Sequence, residues 1–246
     1  EYFVGIESER DASFEPDGEH QFLLSPASGP SLKFVIALST SRASTISSVE
    51  QTFSDSAKHW AAFWETGAAV ELAGSRDQRA PELERRLVLS QYLTAIQCAG
   101  SKPPQETGLT VNSWYGKFHL EMHWWHAAHF VLWNRMRLLE KSLDWYQEIL
   151  PRARELARSQ GYGGARWPKM TGPEGLDSPS SIGPLIIWQQ PHPIIYAELC
   201  YQQRRDRASL LPYQEMVVES GEFMASFARW EDATNRYVLG PPVIPA

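Results

Sequence analysis
The spacing of apolar and polar positions divides the chain into a β-prone start and a helical remainder. Three short β-prone runs come first: Tyr2-Phe3-Val4, Phe22-Leu23-Leu24 and Leu32 to Leu38. Pro16-Asp17-Gly18 and the stretch from Pro26 to Pro30 punctuate them as turns. Polar Ser44 to Ser48 offers caps for a helix over about 49–65, on which Phe53, Trp60, Phe63 and Trp64 crowd overlapping faces. Ala69-Val70-Glu71-Leu72 alternates as a strand does. From Pro81 onward helical spacing dominates. Pro81 suits the first position of a helix reaching about Ala99, with Glu82 and Glu84 in its first turn. Further helices are expected over about 120–135, 138–160, 193–203 and 208–230. Pro151 should kink or break the third of these five. Residues 161–180, rich in Gly, Pro and Ser, form a loop long enough to suggest a functional role.

Composition adds a few limits. The chain has 246 residues with ten Trp, enough apolar material for a substantial core. A net charge of −6 and the absence of a basic stripe exclude a nucleic-acid backbone as the main partner. No apolar run reaches membrane-spanning length. Cys98 and Cys200 lie far apart in apolar helical contexts and read as buried thiols, with a disulfide as the alternative. The chain opens within a strand and stops just after a turn, so it reads as part of a longer protein. Helices that lack their neighbours would expose apolar faces and favour a homodimer.

The chemistry concentrates in Trp114 to His129. These sixteen residues carry four His, three Trp, one Tyr, one Lys and one Glu. Flat aromatic faces mixed with directional polar heads suit a ligand with apolar faces and many hydroxyls, which describes a sugar. Trp114 is the candidate stacking platform, while Trp124 and Trp125 read as core. Lys117 reads as a hydroxyl or carboxylate partner, or as a surface lysine. Glu121 binds sugar hydroxyls or assists chemistry on one reading, and is a solvated carboxylate at a helix start on the other. His119, His123 and His126 fall at i, i+4 and i+7, so they share one face if the helix already runs at 119. Sugar-hydroxyl binding, packed core histidines and a metal site all fit that spacing; without a His-Glu-x-x-His motif the metal reading is the weakest, and no metal or cofactor is expected. Arg166, Trp167 and Lys169 on the long loop could hold an acidic sugar or phosphate, or pin the loop inside the fold. Gln189, Gln190 and His192, set between prolines, offer amide and imidazole groups that read sugar hydroxyls well.

Four motifs in order carry a resemblance: Tyr115-Gly116-Lys117-Phe118-His119-Leu120-Glu121, Gly161-Tyr162-Gly163-Gly164-Ala165-Arg166-Trp167-Pro168, His192 ahead of Ala197 and Tyr201, and Arg236-Tyr237-Val238-Leu239-Gly240-Pro241. Together the chain resembles glycoside hydrolase family 65 and its six-hairpin relatives. That resemblance implies a mainly α fold: part of an (α/α)6 six-hairpin barrel, preceded by remnant strands of an N-terminal β-sandwich and a linker helix. It implies the end of the sandwich over 1–40, the linker over 41–78 and the first half of the barrel over 79–246. Leu120-Glu121 stands where the family has a sugar-gripping Trp-Asp pair, so the carboxylate is kept in kind and the Trp is replaced. The family's general acid is a Glu shortly after a Gly-Pro motif; the motif here is Gly240-Pro241-Pro242, which puts the acid beyond Ala246. The implied activity is inverting cleavage of a glycosidic bond in an oligosaccharide or glycoside; the compartment stays open, with a secreted or periplasmic one favoured for a glycan-degrading enzyme. Phosphorolysis and polysaccharide elimination on the same fold are alternatives, as is a non-catalytic sugar-binding domain. Glu121 and the cluster around Arg166 and His192 are expected to line one pocket.

Overall fold
A computed structural model describes residues 2–42 and 45–240. They fall into two compact units, Glu1–Thr66 and Gly67–Ala246.

The first unit is built from two hairpin-like strand pairs and one helix. β1 (Phe3–Ser8), β2 (Ala12–Pro16), β3 (Phe22–Pro26) and β4 (Phe34–Ser39) pair antiparallel as β1 with β4 and β2 with β3. The register sets Ile6 opposite Ile36 and Phe14 opposite Leu24. Phe14 and Phe22, two positions off register on one face, stack with centroids 4.9 Å apart. β2 is a strand that the apolar runs do not mark, because it carries one large apolar residue. α1 (Val49–Thr66) starts where the Ser48 hydroxyl accepts the Gln51 N–H at 3.1 Å. The other end of that polar cap, Ser44, lies outside the described residues. Trp60, Phe63 and Trp64 pack edge to face along the helix at 5.2 and 4.9 Å.

The second unit is helical. α2 (Ala80–Cys98) leads through turns to β5 (Phe118–His119), and then to α3 (Leu120–His123) and α4 (His129–Leu132). After these come α5 (Met136–Ser159), β6 (Met170–Thr171), α6 (His192–Arg204), α7 (Gln214–Phe227), and the pair β7 (Ala228–Glu231) and β8 (Arg236–Leu239). α5 is the central helix: Leu139, Leu143, Tyr146, Leu150, Ala153 and Ala157 recur at helical spacing and are all buried. Against it pack Leu120, Phe130 and Val131 from the preceding helices, Trp167 from the loop, Tyr196 and Cys200 from α6, and Met216 from α7.

Several boundaries differ from the sequence expectation. Ala69 to Leu72 forms no strand; the Leu72 N–H bonds the Glu84 carboxylate at 2.7 Å instead of a ladder partner. The helix expected over 120–135 is interrupted by a π turn, Trp124–Ala128, and ends at Leu132, two residues before left-handed Asn134. Pro151 does not break α5, which runs through it: the proline is exposed while its neighbours Leu150 and Ala153 are buried. Packing there outweighs a local penalty of about 3 kcal/mol. The last helix starts at Gln214 rather than Ala208, since Arg207–Tyr213 holds Pro212 in a 3-10 segment capped by Asp206. It stops at Phe227, and Trp230 lies instead in β7, facing Tyr237 of β8 with centroids 5.0 Å apart. Cys98 and Cys200 are free and buried, and burial pushes their thiols up to about 11 and about 12.

Two features set where the long loop lies. Gly164 adopts φ +67°, and a Cβ there would meet the Glu219 carbonyl oxygen at 2.2 Å and the Phe223 nitrogen at 2.4 Å. Only glycine lets the loop press onto the α7 backbone, where the Ala165 N–H donates to the Glu219 carbonyl at 2.9 Å. Just beyond, Gln190 accepts from the Trp167 N–H at 2.8 Å and donates to the Trp167 carbonyl at 2.8 Å, while the indole N–H donates to Ser220 at 2.9 Å. Gly164→Ala is expected to destabilise the protein by at least about 2 kcal/mol, from left-handed strain plus a backbone clash, as read by the urea midpoint.

Two histidines are part of the core. His123, fully buried, bonds Tyr146 at 2.9 Å and Ser142 at 3.0 Å. His192 opens α6 among the rings of Trp188 and Trp124, at 5.0 and 5.6 Å. Burial pushes His123 down to about 3 and His192 down to about 4. Unfolded, both titrate near 6.5, so below that pH the unfolded chain binds the extra protons. The stability these neutral rings contribute is complete above pH 6.5 and is lost as pH falls toward about 4 for His192 and about 3 for His123. Each adds a slope of up to about 1.4 kcal/mol per pH unit in that window. The urea midpoint is expected to drop from pH 7 to pH 5; an unchanged midpoint would contradict the neutral, buried state of these rings.

Candidate functional site
The site begins in the turns after α2. The Gln105 side chain ties that loop from inside, donating to the carbonyls of Gly108 at 2.6 Å and Val111 at 3.1 Å and accepting the Ser113 N–H at 3.1 Å. The chain then passes through three successive left-handed residues, Trp114, Tyr115 and Gly116, with φ of 48°, 60° and 69°. Two of the three bear side chains, at a cost of about 1–2 kcal/mol each, and such strain gathers at ligand-handling segments. The turn is closed by Gly116 N–H to the Ser113 carbonyl at 3.0 Å. It leaves the Trp114 indole half exposed and Tyr115 almost wholly exposed.

Trp114 is held on two sides. Its indole N–H bonds the Glu106 carboxylate, and the Lys169 ammonium lies 4.9 Å from its ring centroid. Lys169 is brought there by the β5–β6 pair: His119 faces Met170, and the Leu120 N–H donates to the Lys169 carbonyl at 2.9 Å. The same ladder brings Lys169 Nζ to 3.1 Å from Glu121 Oε1, while His119 Nε2 lies 2.7 Å from that oxygen. A carboxylate only accepts, so His119 carries its proton on Nε2 and donates it. Burial pushes the Glu121 carboxyl up, but the His119 and Lys169 hydrogen bonds and the Lys169 charge outweigh it and leave the group below its ordinary range. Glu121 is therefore a held carboxylate, suited to accept hydroxyl hydrogen bonds rather than to donate a proton.

A cavity of about 570 Å³ opens beside this cluster, lined by Trp114, Lys117, Lys169, Ser178, Ser180 and Ser181 with their neighbours. Its volume falls in the range of small-molecule pockets. Of the residues singled out from sequence, Trp114, Lys117 and Lys169 line it directly. Glu121 and His119 meet it through Lys169. The remaining candidates use their polar groups elsewhere. His123, Trp167 and Gln190 make the internal bonds described above. The Arg166 guanidinium, 5% exposed, bonds the Gln160 side chain and the Pro184 carbonyl and lies 5.6 Å from the Phe223 ring. Gln189 donates to the Trp167 and Ile186 carbonyls, both at 3.3 Å. None of these five, nor His192, is among the residues lining the cavity. The cavity instead includes Tyr115, Ser178, Ser180 and Ser181, which residue type alone does not single out. A Ser-Pro-Ser-Ser run between Gly175 and Gly183 is the signal that could have found the serines.

The shared histidine face dissolves in the structure. His119 bonds Glu121, His123 bonds Tyr146 and Ser142, and His126 bonds the Glu106 carbonyl at 2.8 Å. His119 lies in β5, ahead of the helix, and the π turn that starts after His123 shifts His126, so the i, i+4, i+7 phase does not hold. Among the described residues no group of three His, Cys, Asp or Glu side chains is placed to hold a metal ion.

No protein-family model matches the chain, and no curated protein matches it. Among solved structures, one described as "Putative kojibiose phosphorylase from human microbiome" is similar with a TM-score of 0.61 at 14% identity, over 98% of this chain and 35% of that one. The chain thus spans about a third of the length of that structure. The likeness covers almost the whole chain, and with its helical makeup and small N-terminal strand pairs the chain has a partial (α/α)6 fold.

Proposed function
We propose that this chain supplies the sugar-gripping part of an enzyme that cleaves glycosidic bonds, with a pyranose ring lying in the cavity beside Trp114. One observation carries the reading: an indole face fixed by Glu106 and Lys169 stands next to a carboxylate kept ionised by His119 and Lys169. The indole supplies the apolar face of the grip and Glu121 the hydroxyl acceptor. Because its partners depress Glu121, a proton donor for the leaving oxygen has to come from another carboxyl group. The Gly240-Pro241-Pro242 motif, after which the resemblance puts that acid, runs into residues outside those described. In an inverting reaction the second carboxylate would activate the nucleophile from the opposite face, with the two groups roughly 6.5–9.5 Å apart.

Phosphorolysis is the second reading, favoured by the description of the similar solved structure, with inorganic phosphate attacking in place of water. Hydrolysis and phosphorolysis are separated by product mass when a glycan panel is incubated with this protein, with and without phosphate. Sugar phosphates formed only with phosphate support phosphorolysis; free sugars in both arms support hydrolysis. Unsaturated uronates would point to elimination, and binding without any turnover to a non-catalytic domain. Trp114→Ala is expected to weaken sugar binding about tenfold or more, as measured by titration calorimetry, while the thermal midpoint stays close to that of the parent. Unchanged affinity would remove Trp114 from the site.

A further inference from the structure
The charge on the cavity wall is one-sided. Its lining contains two ammonium groups, Lys117 and Lys169, and no carboxylate. Lys169 is compensated by Glu121 at 3.1 Å. Lys117 is half-buried and makes no ion pair among the described residues. Its ammonium lies over Gly172, 3.8 Å from the point a Cβ would occupy, and a Glu174 carboxylate oxygen lies 3.0 Å from the same point.

The Ser178–Ser181 stretch adds hydroxyls to the same lining. Ser180 accepts the Gly183 N–H at 2.9 Å, so its own hydrogen stays free to donate. Ser181 is exposed on the cavity. Ser178 lines the cavity through its other atoms, since its oxygen is shielded from the surface. Two ammonium groups and no carboxylate give the lining a positive balance, and Lys169 alone of the two is ion-paired. A neutral sugar brings hydroxyl acceptors but no charge to meet that balance. An anionic substituent brings one, and its hydrogen bonds to an ammonium are the stronger charge-assisted kind.

We propose that the sugar received in this cavity bears an anionic substituent, a carboxylate, sulfate or phosphate ester, held by Lys117 and the Ser180 and Ser181 hydroxyls while the ring lies on Trp114. This rests on the reading of the cavity as a sugar site and narrows its substrate class.

The test is calorimetric titration of the chain with methyl glucoside, methyl glucuronide, glucose 6-sulfate and glucose 6-phosphate, with inorganic phosphate as the free-anion control. At least one anionic sugar is expected to bind about tenfold or more tightly than methyl glucoside, with affinity falling as salt rises. Lys117→Met is expected to bring that ratio close to one, and Ser181→Ala, at an exposed position, to reduce it partly with the fold intact. The ranking among carboxylate, sulfate and phosphate names the substituent. Equal affinity for neutral and anionic sugars would overturn the inference and leave the sugar site standing. Inorganic phosphate binding as tightly as the sugar phosphate would also overturn it, since the ring would then contribute nothing. Silence from every sugar would overturn both this inference and the sugar reading.

Discussion
The Gln190 amide satisfies both hydrogen-bonding groups of the buried Trp167 peptide, at 2.8 Å each, and most of the site depends on that closure. The peptide sits at the start of the segment that turns into β6. With Gly164 pressed onto α7 on one side and Gln190 below α6 on the other, the loop has little freedom before Lys169. Lys169 then meets Leu120 in the ladder and Glu121 through its ammonium. The order of cause runs from a core amide, through a two-residue strand, to the charge beneath Trp114. Without Gln190 the buried Trp167 N–H would be orphaned at a cost of about 1–3 kcal/mol, while the carbonyl would keep its longer bond from Gln189, so the clamp acts through the penalty of being undone more than through the strength of two ordinary bonds.

The electrostatics of the cluster follow the same asymmetry. Lys169 is only 6% exposed, and Glu121 is shielded on most sides. Bringing the two out of water gains little against an apolar pair of similar shape, but removing either one alone strands the other. Glu121 takes a second donor from His119 on the same oxygen, so the cluster tolerates a solvent-facing rim better than a bare pair would. The arrangement fixes the orientation of a carboxylate next to an aromatic face, which is a matter of positioning rather than of net stability.

Much of the helical framework was legible in the sequence because burial there follows spacing. The Leu139–Leu143–Tyr146–Leu150 repeat marks α5, Pro81 marks the start of α2, and the Ser48 cap marks the start of α1. The paired strands at the chain start were legible where two or more large apolar residues adjoin, and β2, with only Phe14, was not. The interruptions were illegible for a different reason. The π turn at 124–128 and the passage of α5 through Pro151 are decided by packing from elsewhere in the chain, which local propensity does not contain. The polar candidates split along the same line. Trp114, Lys117 and Lys169 line the cavity, whereas Arg166, His123 and Gln190 carry equally suggestive heads and spend them on internal partners. Residue type records what a side chain can bond, and only the fold decides whether the bond is made to a ligand or to a neighbour.

The wide turn at Trp124–Ala128 bears on how such a site could change over evolutionary time. A π turn holds one residue more than an α turn, and each residue of an α-helix advances the face by about 100°. The smaller angle per residue in the wide turn absorbs that extra residue, so the stretch before it keeps its phase with the stretch after it. Leu120 thereby holds its packing position and Glu121 its place beside Lys169. Loss of one residue from the turn would restore an ordinary helix with both ends in phase, whereas loss of one from the α-helical stretch beside it would rotate Glu121 away from Lys169; within this run, tolerance of a length change is confined to the turn.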